Sequence, residues 1–501
     1  MRKKCKMLMS WLLAVILIVT SMGMPVHAEE TESSAEIAYP DSEAGDYAEE
    51  MDPYATFLLA EPVEEIMDDH VDALREDGAD PSATDSDTPL ETVFLSESGV
   101  KSIHKPTMKE LAAAYENIGT IPQLYETEPS LSTPGYHIGT LTDDAAEYVK
   151  KYINYYRLMA GVQPISLDSS LNESAAWGAL TLAIGNQFSH TPSQPSGMSD
   201  EDYQKGYYAT SHSNLSRSGG YDAQGAMKVA VTGQMEDKDS SNIDRVGHRR
   251  WLLDPFTQTM GAGTANRAFS YYTAIRVMGE GVRSSDITDL DYVAWPASGK
   301  NLSDSFPVNT PWSISLNAGG WTSTTFKTPD RSKLRITLKD LQTGRTWDFD
   351  NDTGTEYSAT SNYYTLDDGG YGGLYYCLIF RPAYQGISKF DGDYEVRVEG
   401  LETVEGNPAV IDYVVTFADV EMARTMADVT HRVSSASEVR SDHPYANGSD
   451  VAWIYRMEDA ESLDVKFNAE TKLASGDYLY VYDAESKEVG KYSGDELAGR
   501  T

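Results

Sequence analysis

Length and charge set the first limits on this protein. The chain has 501 residues, and 78 acidic side chains against 40 basic ones give it a formal net charge of −38. Such a charge repels phosphate backbones and anionic membrane surfaces, which excludes nucleic acid as a favoured partner. A chain of this length also exceeds what one hydrophobic core organises, so several domains are expected.

The N-terminus has the pattern of a secretory signal peptide. Basic residues precede an apolar run from Trp11 to Val19, and Val26-His27-Ala28 offers a small-residue cleavage site. The run is shorter than the roughly 20 residues that a membrane-spanning helix needs. We therefore assign residues 1–28 to a signal peptide. The mature chain is expected to be secreted or displayed at the cell surface, with no stable membrane span after cleavage.

Removal of that segment leaves Cys377 as the single cysteine of the mature chain. No intramolecular disulfide can then form, so buried apolar surface must hold the domains together, which is typical of a bacterial exported protein. Cys377 stands in the run GGLYYCLIF, which has the pattern of a buried strand. We expect a small core residue there, and not a nucleophile.

The acidic residues are concentrated in residues 29–98, which contain few aliphatic side chains and many Ser, Pro, Asp and Glu. Such a composition cannot bury enough apolar surface to offset the entropy that is lost on ordering. We expect a disordered linker there. Residues 99–140 are predicted to form a short helical or irregular lead-in, where Thr107 and Glu110 make a capping-box pattern ahead of LAAAYEN.

Four helices and a strand pair are predicted between residues 141 and 280. Thr142 caps a first helix with apolar residues at three-four spacing, and Gly161 ends it. A turn-rich stretch separates the second helix from the third. The later elements are a helix from Asp168 to a break at Gly185-Asn186, a helix over AQGAMKVAVTGQMED, a short helix over RVGHRRWLL that Pro255 stops, and two strands joined by a turn at Ala265-Asn266-Arg267.

Several short motifs occur in order along these elements. Asn154 and Arg157 lie in the first helix, Phe188-Ser189-His190 follows the second, and Gly247-His248-Arg249 lies in the fourth. Together with MGAGTA, this order resembles the CAP domain of cysteine-rich secretory proteins, venom antigens and pathogenesis-related proteins, with the bacterial, cysteine-free branch the nearest match. The resemblance implies an α-β-α sandwich over residues 141–280.

The resemblance also implies a groove where two histidines and two acidic residues meet, and where some members hold zinc or another divalent ion. His190 and His248 match the histidines, and the acid on the third helix is Glu236 or Asp237. The second acid lies in a Gly-Glu-Asn segment in the family, and here that segment reads His212-Ser213-Asn214. Ser213 therefore replaces a carboxylate, and a metal would bind more weakly. His212 offers a nitrogen beside it, and Ser213 and Asn214 line the predicted groove.

Two other interpretations of the histidines stay open. They are equally compatible with a structural pair that is hydrogen-bonded in a half-buried groove. They are also compatible with a His-acid pair that activates water, although the chain has neither a Gly-x-Ser-x-Gly elbow nor a His-Glu-x-x-His helix. Around them, Arg249 and Arg250 are expected at the surface or in salt bridges, and Trp251 in the core.

Alternating segments separated by turn residues make up the rest of the chain. Over residues 281–430 the runs WSISLN, KLRITLKDL, YYCLIF, YEVRVEGL and IDYVVTF predict an antiparallel β-sandwich. Residues 431–501 contain SLDVKF and DYLYVYD and resemble the first half of a CUB domain, an extracellular β-sandwich used for binding. That resemblance implies a calcium site at Glu470 and Asp477, in either a fragment or a degenerate domain.

Together these features predict an α+β protein, in which a CAP domain is followed by antiparallel β-sandwich modules. We expect an exported bacterial protein that binds an extracellular lipid, peptide, glycan or protein without catalysis, and whose histidine pair can hold a divalent metal. One alternative is a metal-dependent hydrolase that acts on peptide or cell-wall substrates at the same groove. Another is a structural surface protein with a vestigial site.

Overall fold

Two units organise the residues that the computed structural model describes. These residues are 91–279, 282, 287–318, 325–426, 450–456, 462–483 and 488–501, together with the backbone of three further strands. One unit contains residues 1–48 and 425–501, and the other contains residues 49–424. Helices and strands occur together, so the protein has the α+β class that the sequence predicts.

The helices of the described residues lie in the larger unit. They are α1 (Met108–Glu116), α2 (Asp143–Ala160), α3 (Ser169–Gly185), α4 (Asp200–Ser211), α5 (Ala223–Glu236), α6 (Gly247–Leu252) and α7 (Val420–Ala423). Among these residues, no helix is both long and apolar enough to cross a membrane.

The strands are divided between the two units. The larger unit contains β2 (Thr56–Leu59), β3 (Val93–Leu95), β4 (Tyr125–Thr127), β5 (Thr140–Leu141), β6 (Ser166–Leu167), β7 (Ser213–Gly219), β8 (Thr259–Arg267), β9 (Ser270–Arg276), β10 (Tyr292–Trp295), β11 (Gly299–Leu302), β12 (Trp312–Leu316), β13 (Arg335–Asp340), β14 (Thr346–Phe349), β15 (Tyr363–Asp367), β16 (Tyr376–Arg381), β17 (Gly392–Glu402) and β18 (Pro408–Ala418). The smaller unit contains β1 (Ala14–Ser21), β19 (Val429–Val433), β20 (Asp450–Arg456), β21 (Asp477–Tyr482) and β22 (Glu488–Tyr492).

The helix ends follow the capping residues of the sequence. The side chain of Thr142 accepts the Ala145 N–H at the start of α2, and Gly161 ends that helix in the left-handed conformation. The capping box of Thr107 and Glu110 is present at α1. One helix was missed, because α4 lies in the stretch that the sequence indicated as turn-rich. Its composition is polar and includes a glycine, so it gives no apolar period, and only its N-cap Ser199 marks it.

The CAP part is a five-stranded sheet between helices, in the strand order β2-β7-β9-β8-β6. On one face α3 packs against the sheet through an alanine- and leucine-rich cluster that includes Leu215 of β7. The approach is close, since a Cβ atom on Gly263 would lie 2.2 Å from the backbone nitrogen of Ala176. On the other face Asn214 donates to Gln234 of α5. The layers therefore follow the α-β-α order that the resemblance implies.

The β-sandwich consists of a four-stranded sheet and a six-stranded sheet. Their orders are β10-β12-β16-β15 and β11-β18-β17-β13-β14, with β3 also paired to β18. Aromatic side chains fill the space between them, and the ring centroids of Trp312 and Phe417 are 6.0 Å apart. All five predicted strands are present. The sandwich is not purely antiparallel, because β11 and β3 both run parallel to β18.

The CAP part and the sandwich share a hydrophobic cluster. Ile243 and Val246 precede α6, and they pack with Tyr363, Cys377 and Ile379 of the sandwich. The two parts are therefore in direct contact through buried side chains at this cluster. Cys377 is a buried core residue, as the sequence predicts.

Two strands lie within the segment that the sequence assigns to a disordered linker. Thr56–Leu59 pairs antiparallel with β7, and Val93–Leu95 pairs parallel with β18. Both are short apolar runs inside an acidic stretch, which average composition does not reveal. The remainder of residues 29–90 lies outside the described residues.

The smaller unit is a five-stranded sheet with the order β19-β20-β1-β21-β22. Its core contains Trp453, Tyr455, Leu473, Leu479 and Leu497. The strand between β20 and β21 is Ala14–Ser21, which belongs to the apolar run of the predicted signal peptide. The run AVILIVTS is rich in β-branched residues, which accounts for its pairing as a strand.

Candidate functional site

The two residues of the Asn-x-x-Arg motif of α2 are hydrogen-bonded to backbone groups of the segments that follow α2 and α6. Asn154 bonds both backbone groups of Ile165, at 2.7 and 2.9 Å. Arg157 is fully buried, and burial lowers its pKa to about 10. Its guanidinium donates to the carbonyls of Gln163, Leu252, Asp254 and Thr257. Arg157 therefore positions the segment on both sides of Pro255, and Asn154 fixes the backbone at Ile165.

The helix that carries His248 begins from a strained backbone. Val246 has φ 43° and ψ 44°, the left-handed region, and it is fully buried. A β-branched residue in that conformation costs about 1–2 kcal/mol. The burial of Val246 in the cluster shared with the sandwich offsets this cost. Packing against the sandwich thus fixes the start of α6.

His248 lies in the interior, paired with an acid. Its side chain is 3% exposed, and Nδ1 lies 2.8 Å from Oδ1 of Asp237, which is itself fully buried. The other oxygen of Asp237 accepts the backbone N–H of Arg249 at 2.9 Å. Of the two acids that the sequence left open, the structure brings Asp237 to the histidine. The carboxylate of Glu236 instead lies 2.6 Å from Nζ of Lys238.

The two arginines after His248 are both buried, so they do not lie at the surface, while Arg250 forms a salt bridge, the other arrangement that the sequence predicts. Arg249 donates to the carbonyls of Met235 and Glu236 and reaches the sandwich at the Pro311 carbonyl and the Ser313 hydroxyl. Arg250 pairs with Asp367 and donates to the carbonyls of Leu374 and Tyr375. The partners in the sandwich lie 62 to 125 positions away in sequence, which is why the local pattern did not reveal them.

His190 and His212 flank the C-terminal end of α4. Nδ1 of His190 donates to the Thr210 carbonyl at 2.8 Å, and the Thr210 hydroxyl donates back to the His190 carbonyl at 2.9 Å. Nδ1 of His212 donates to the Tyr208 carbonyl at 2.8 Å, and burial lowers the pKa of His212. Ser213 is buried, and its hydroxyl donates to the Ala209 carbonyl. Each histidine is thereby oriented by a backbone carbonyl of α4.

A surface aromatic ring lies at the same end of α4. Tyr208 is 47% exposed, and its ring centroid lies 4.0 Å from that of His212 and 4.9 Å from the guanidinium of Arg276. Arg276 is buried and bonds the Ser174 hydroxyl and the Met278 carbonyl, and burial lowers its pKa. We name Tyr208, His212, Arg276 and Ser174 the Tyr208 cluster. The sequence analysis identified only His212 of this cluster, because α4 itself was missed.

Asn214 connects β7 to α6, the helix that carries His248. Its side-chain amide donates to the His248 carbonyl at 2.9 Å and to Gln234 Oε1 at 3.1 Å. Successive residues of a strand face opposite sides, so Asn214 faces α5 and α6 while Ser213 faces α4. The predicted groove residues Ser213 and Asn214 are thus adjacent in sequence and lie on different faces of the sheet.

Within the described residues, no group of three or more His, Cys, Asp or Glu side chains is placed to hold a metal ion. The set His190, His248 and Glu236 or Asp237 is therefore not brought together as one such group. Of the two acids of the predicted calcium site, Glu470 is exposed and Asp477 is buried at the start of β21.

The layered fold and the ordered motifs define a CAP-type domain, the class of domain found in extracellular interaction proteins. Residues 150–277 match the family CAP, described as the Cysteine-rich secretory protein family, over about a quarter of the chain. Proteins of that family are commonly secreted and bind ligands or proteins. No curated protein matches the chain.

Proposed function

We propose that this chain is an exported bacterial protein that binds an extracellular ligand through the Tyr208 cluster of its CAP domain, without catalysis. The observation that supports it most is the exposed Tyr208 ring, which a buried arginine and a histidine hold in place. An aromatic ring fixed in this way gives contact area at low entropic cost, because little side-chain freedom remains to be lost on binding.

The chemistry of the cluster indicates the kind of ligand. Tyr208 offers a flat apolar surface with a hydroxyl at its edge, and Arg276 adds a positive charge in a chain whose net charge is strongly negative. Sugar rings and aromatic peptide side chains have flat faces that stack on such a ring. A glycan or a peptide therefore fits the cluster better than a lipid chain, which would need a larger apolar surface.

Substitution of the ring tests this proposal. We expect Tyr208→Ala to weaken binding of soluble cell-wall glycan fragments or of aromatic peptides by tenfold or more, about 1.4 kcal/mol. Phe269→Ala is the matched control, since Phe269 is an aromatic residue of the same domain that is 85% exposed at the tip of the β8–β9 hairpin. If both substitutions have equal effects, or if no probe binds the unaltered chain, the proposal fails.

A metal-dependent hydrolase at the histidines is the second candidate, and the Asp237 contact favours it. A carboxylate that accepts the Nδ1 proton of a histidine orients the ring and directs Nε2 as the metal-binding nitrogen. The Thr210 carbonyl plays the same part for His190. Zinc titration of the full chain by calorimetry tests it, with Asp237→Asn as the comparison. Micromolar binding that Asp237→Asn weakens supports a metal site, and hydrolysis of peptide or cell-wall substrates by the zinc-loaded chain would support catalysis.

The smaller unit is included in the proposal as a CUB-like binding module. Its described strands form one sheet with a hydrophobic core, and the runs SLDVKF and DYLYVYD resemble a CUB domain, an extracellular β-sandwich used for binding. Calcium at Glu470 and Asp477 is part of that proposal. Calcium titration with Asp477→Asn as the comparison tests it, and equal heats for the two chains would rule out a site there.

A further inference from the structure

Strand β7 forms an edge of the CAP sheet that a short strand of the predicted linker covers. One side of β7 pairs with β9, and its outer side pairs antiparallel with Thr56–Leu59. Without that short strand, residues 215–218 would present unpaired backbone N–H and C=O groups. Such an edge is the template to which a further extended strand adds.

The covering strand pairs with β7 over a short length. Its pairing runs over four residues, from Thr56 opposite Ser218 to Leu59 opposite Leu215. Pairing of two strands over so short a length is marginal in water. Thr56–Leu59 competes with strands of other molecules for this edge mainly because it belongs to the same chain, which gives it a high effective concentration. A better-fitting strand from another molecule can therefore replace it.

Two buried serine hydroxyl groups of β7 lie at this edge of the sheet. Ser216 and Ser218 are fully buried, and in the described part of the chain their hydroxyls have no hydrogen-bond partner. Both alternate with Asn214 and so face α5. In register, Ser216 stands opposite Leu58, a residue type without a polar side-chain group, and Ser218 stands opposite Thr56. A buried hydroxyl without a partner is costly, so a polar residue opposite Ser216 would improve the pairing.

We propose that the outer edge of β7 is a peptide-binding site, which takes an extended segment of another polypeptide by strand addition. The favoured partner carries Thr, Asn or Gln opposite Ser216, and Thr56–Leu59 occupies the edge in its absence. This site is independent of the Tyr208 cluster, because it uses the backbone of residues 215–218 and two serines that the cluster does not contain.

The test uses the full chain with Thr56–Leu59 replaced by Gly-Ser-Gly-Ser, and a fluorescent peptide of residues 52–61, DPYATFLLAE. We expect the peptide to bind the replaced chain about tenfold or more tightly than the unaltered chain, in which the tethered strand competes. A peptide with Leu58→Thr should bind more tightly still, and one with Leu58→Pro should not bind. Hydrogen exchange at residues 215–218 should become fast on replacement and slow again when the peptide is added.

Amide exchange in the β8–β9 hairpin serves as the folding control, and a chain with the single change Phe57→Pro replaces the first variant if that control fails. The proposal is wrong if the exposed edge binds none of the peptides. It is also wrong if exchange at residues 215–218 is the same with and without the covering strand. Equal binding of the Leu58→Thr and unaltered peptides would refute the role of Ser216.

Discussion

Arg249 should be among the most important single side chains for the stability of the larger unit. It is almost fully buried, and it donates to the carbonyls of Met235, Glu236 and Pro311 at 2.6, 2.6 and 2.8 Å, and to the Ser313 hydroxyl at 3.0 Å. Arg249→Ala removes the donor to all four groups at once. Two lie in the CAP part and two in the sandwich, so the hydrogen bonds by which Arg249 connects the two parts are lost as well.

The magnitude follows from the groups that lose their donor. A buried acceptor without a donor costs about 1–3 kcal/mol, so three carbonyls set an upper range of about 3–9 kcal/mol. Part of this is offset, because burial lowers the pKa of Arg249 to about 10, which means that the folded state already opposes its charge. Removing one member of a buried polar network typically costs about 3–5 kcal/mol, and we expect a loss in that range.

Urea denaturation of the full chain, followed by tryptophan fluorescence, measures the effect. Arg335→Ala is the matched control, since Arg335 is 65% exposed and its pair with Asp350 at 2.8 Å should contribute no more than about 1 kcal/mol. If Arg249→Ala destabilises the chain no more than Arg335→Ala does, the buried arginine does not hold the two parts together, and the reasoning is refuted.

Three further predictions concern single features of the fold. His248→Gln should cost about 1–3 kcal/mol in urea denaturation, because Asp237 loses the donor at one buried oxygen; an unchanged midpoint would contradict this. Thr107→Ala should destabilise α1 by about 1 kcal/mol, measured by amide exchange. The hydrogen bond from the Thr107 backbone lowers the pKa of Glu110. The stabilisation of α1 by the Glu110 carboxylate is therefore fully present above the ordinary carboxyl pKa, and it is lost as the pH falls through the lowered pKa of Glu110. A chain without residues 1–28 should be digested faster in its C-terminal sheet than the precursor, because β1 lies between β20 and β21; equal rates would show that the strand is dispensable.

Local sequence signals predicted much of the CAP part correctly, for physical reasons that can be named. The helix that Thr142 begins and Gly161 ends could be predicted from its own residues, since each cap forms its hydrogen bonds with backbone groups of the same helix. The β8–β9 pair was predicted too, although its turn lies at Ala268 and Phe269 and not at residues 265–267. Positive φ at Ala268 is a conformation that its residue type does not suggest.

Features that depend on contacts with residues far away in the sequence were not predicted. Arg249 and Arg250 are charged residues of a type that usually lies at the surface. Their burial is explained only by the sandwich strands that pack on α6. The strand Thr56–Leu59 was missed for a similar reason, since its pairing partner β7 lies more than 150 residues further along the chain. The acid at His248 was narrowed to two candidates and no further, because one residue of helix register decides which carboxylate turns inward.

The three residues Gly247, His248 and Arg249 show how one short motif can serve several purposes. A Cβ atom on Gly247 would lie 3.0 Å from the ring of Tyr371, so the glycine lets the sandwich approach α6. His248 turns toward the acid at the end of α5, and Arg249 turns toward β12. Two of the three positions are thus required by packing against the sandwich, whatever the histidine does.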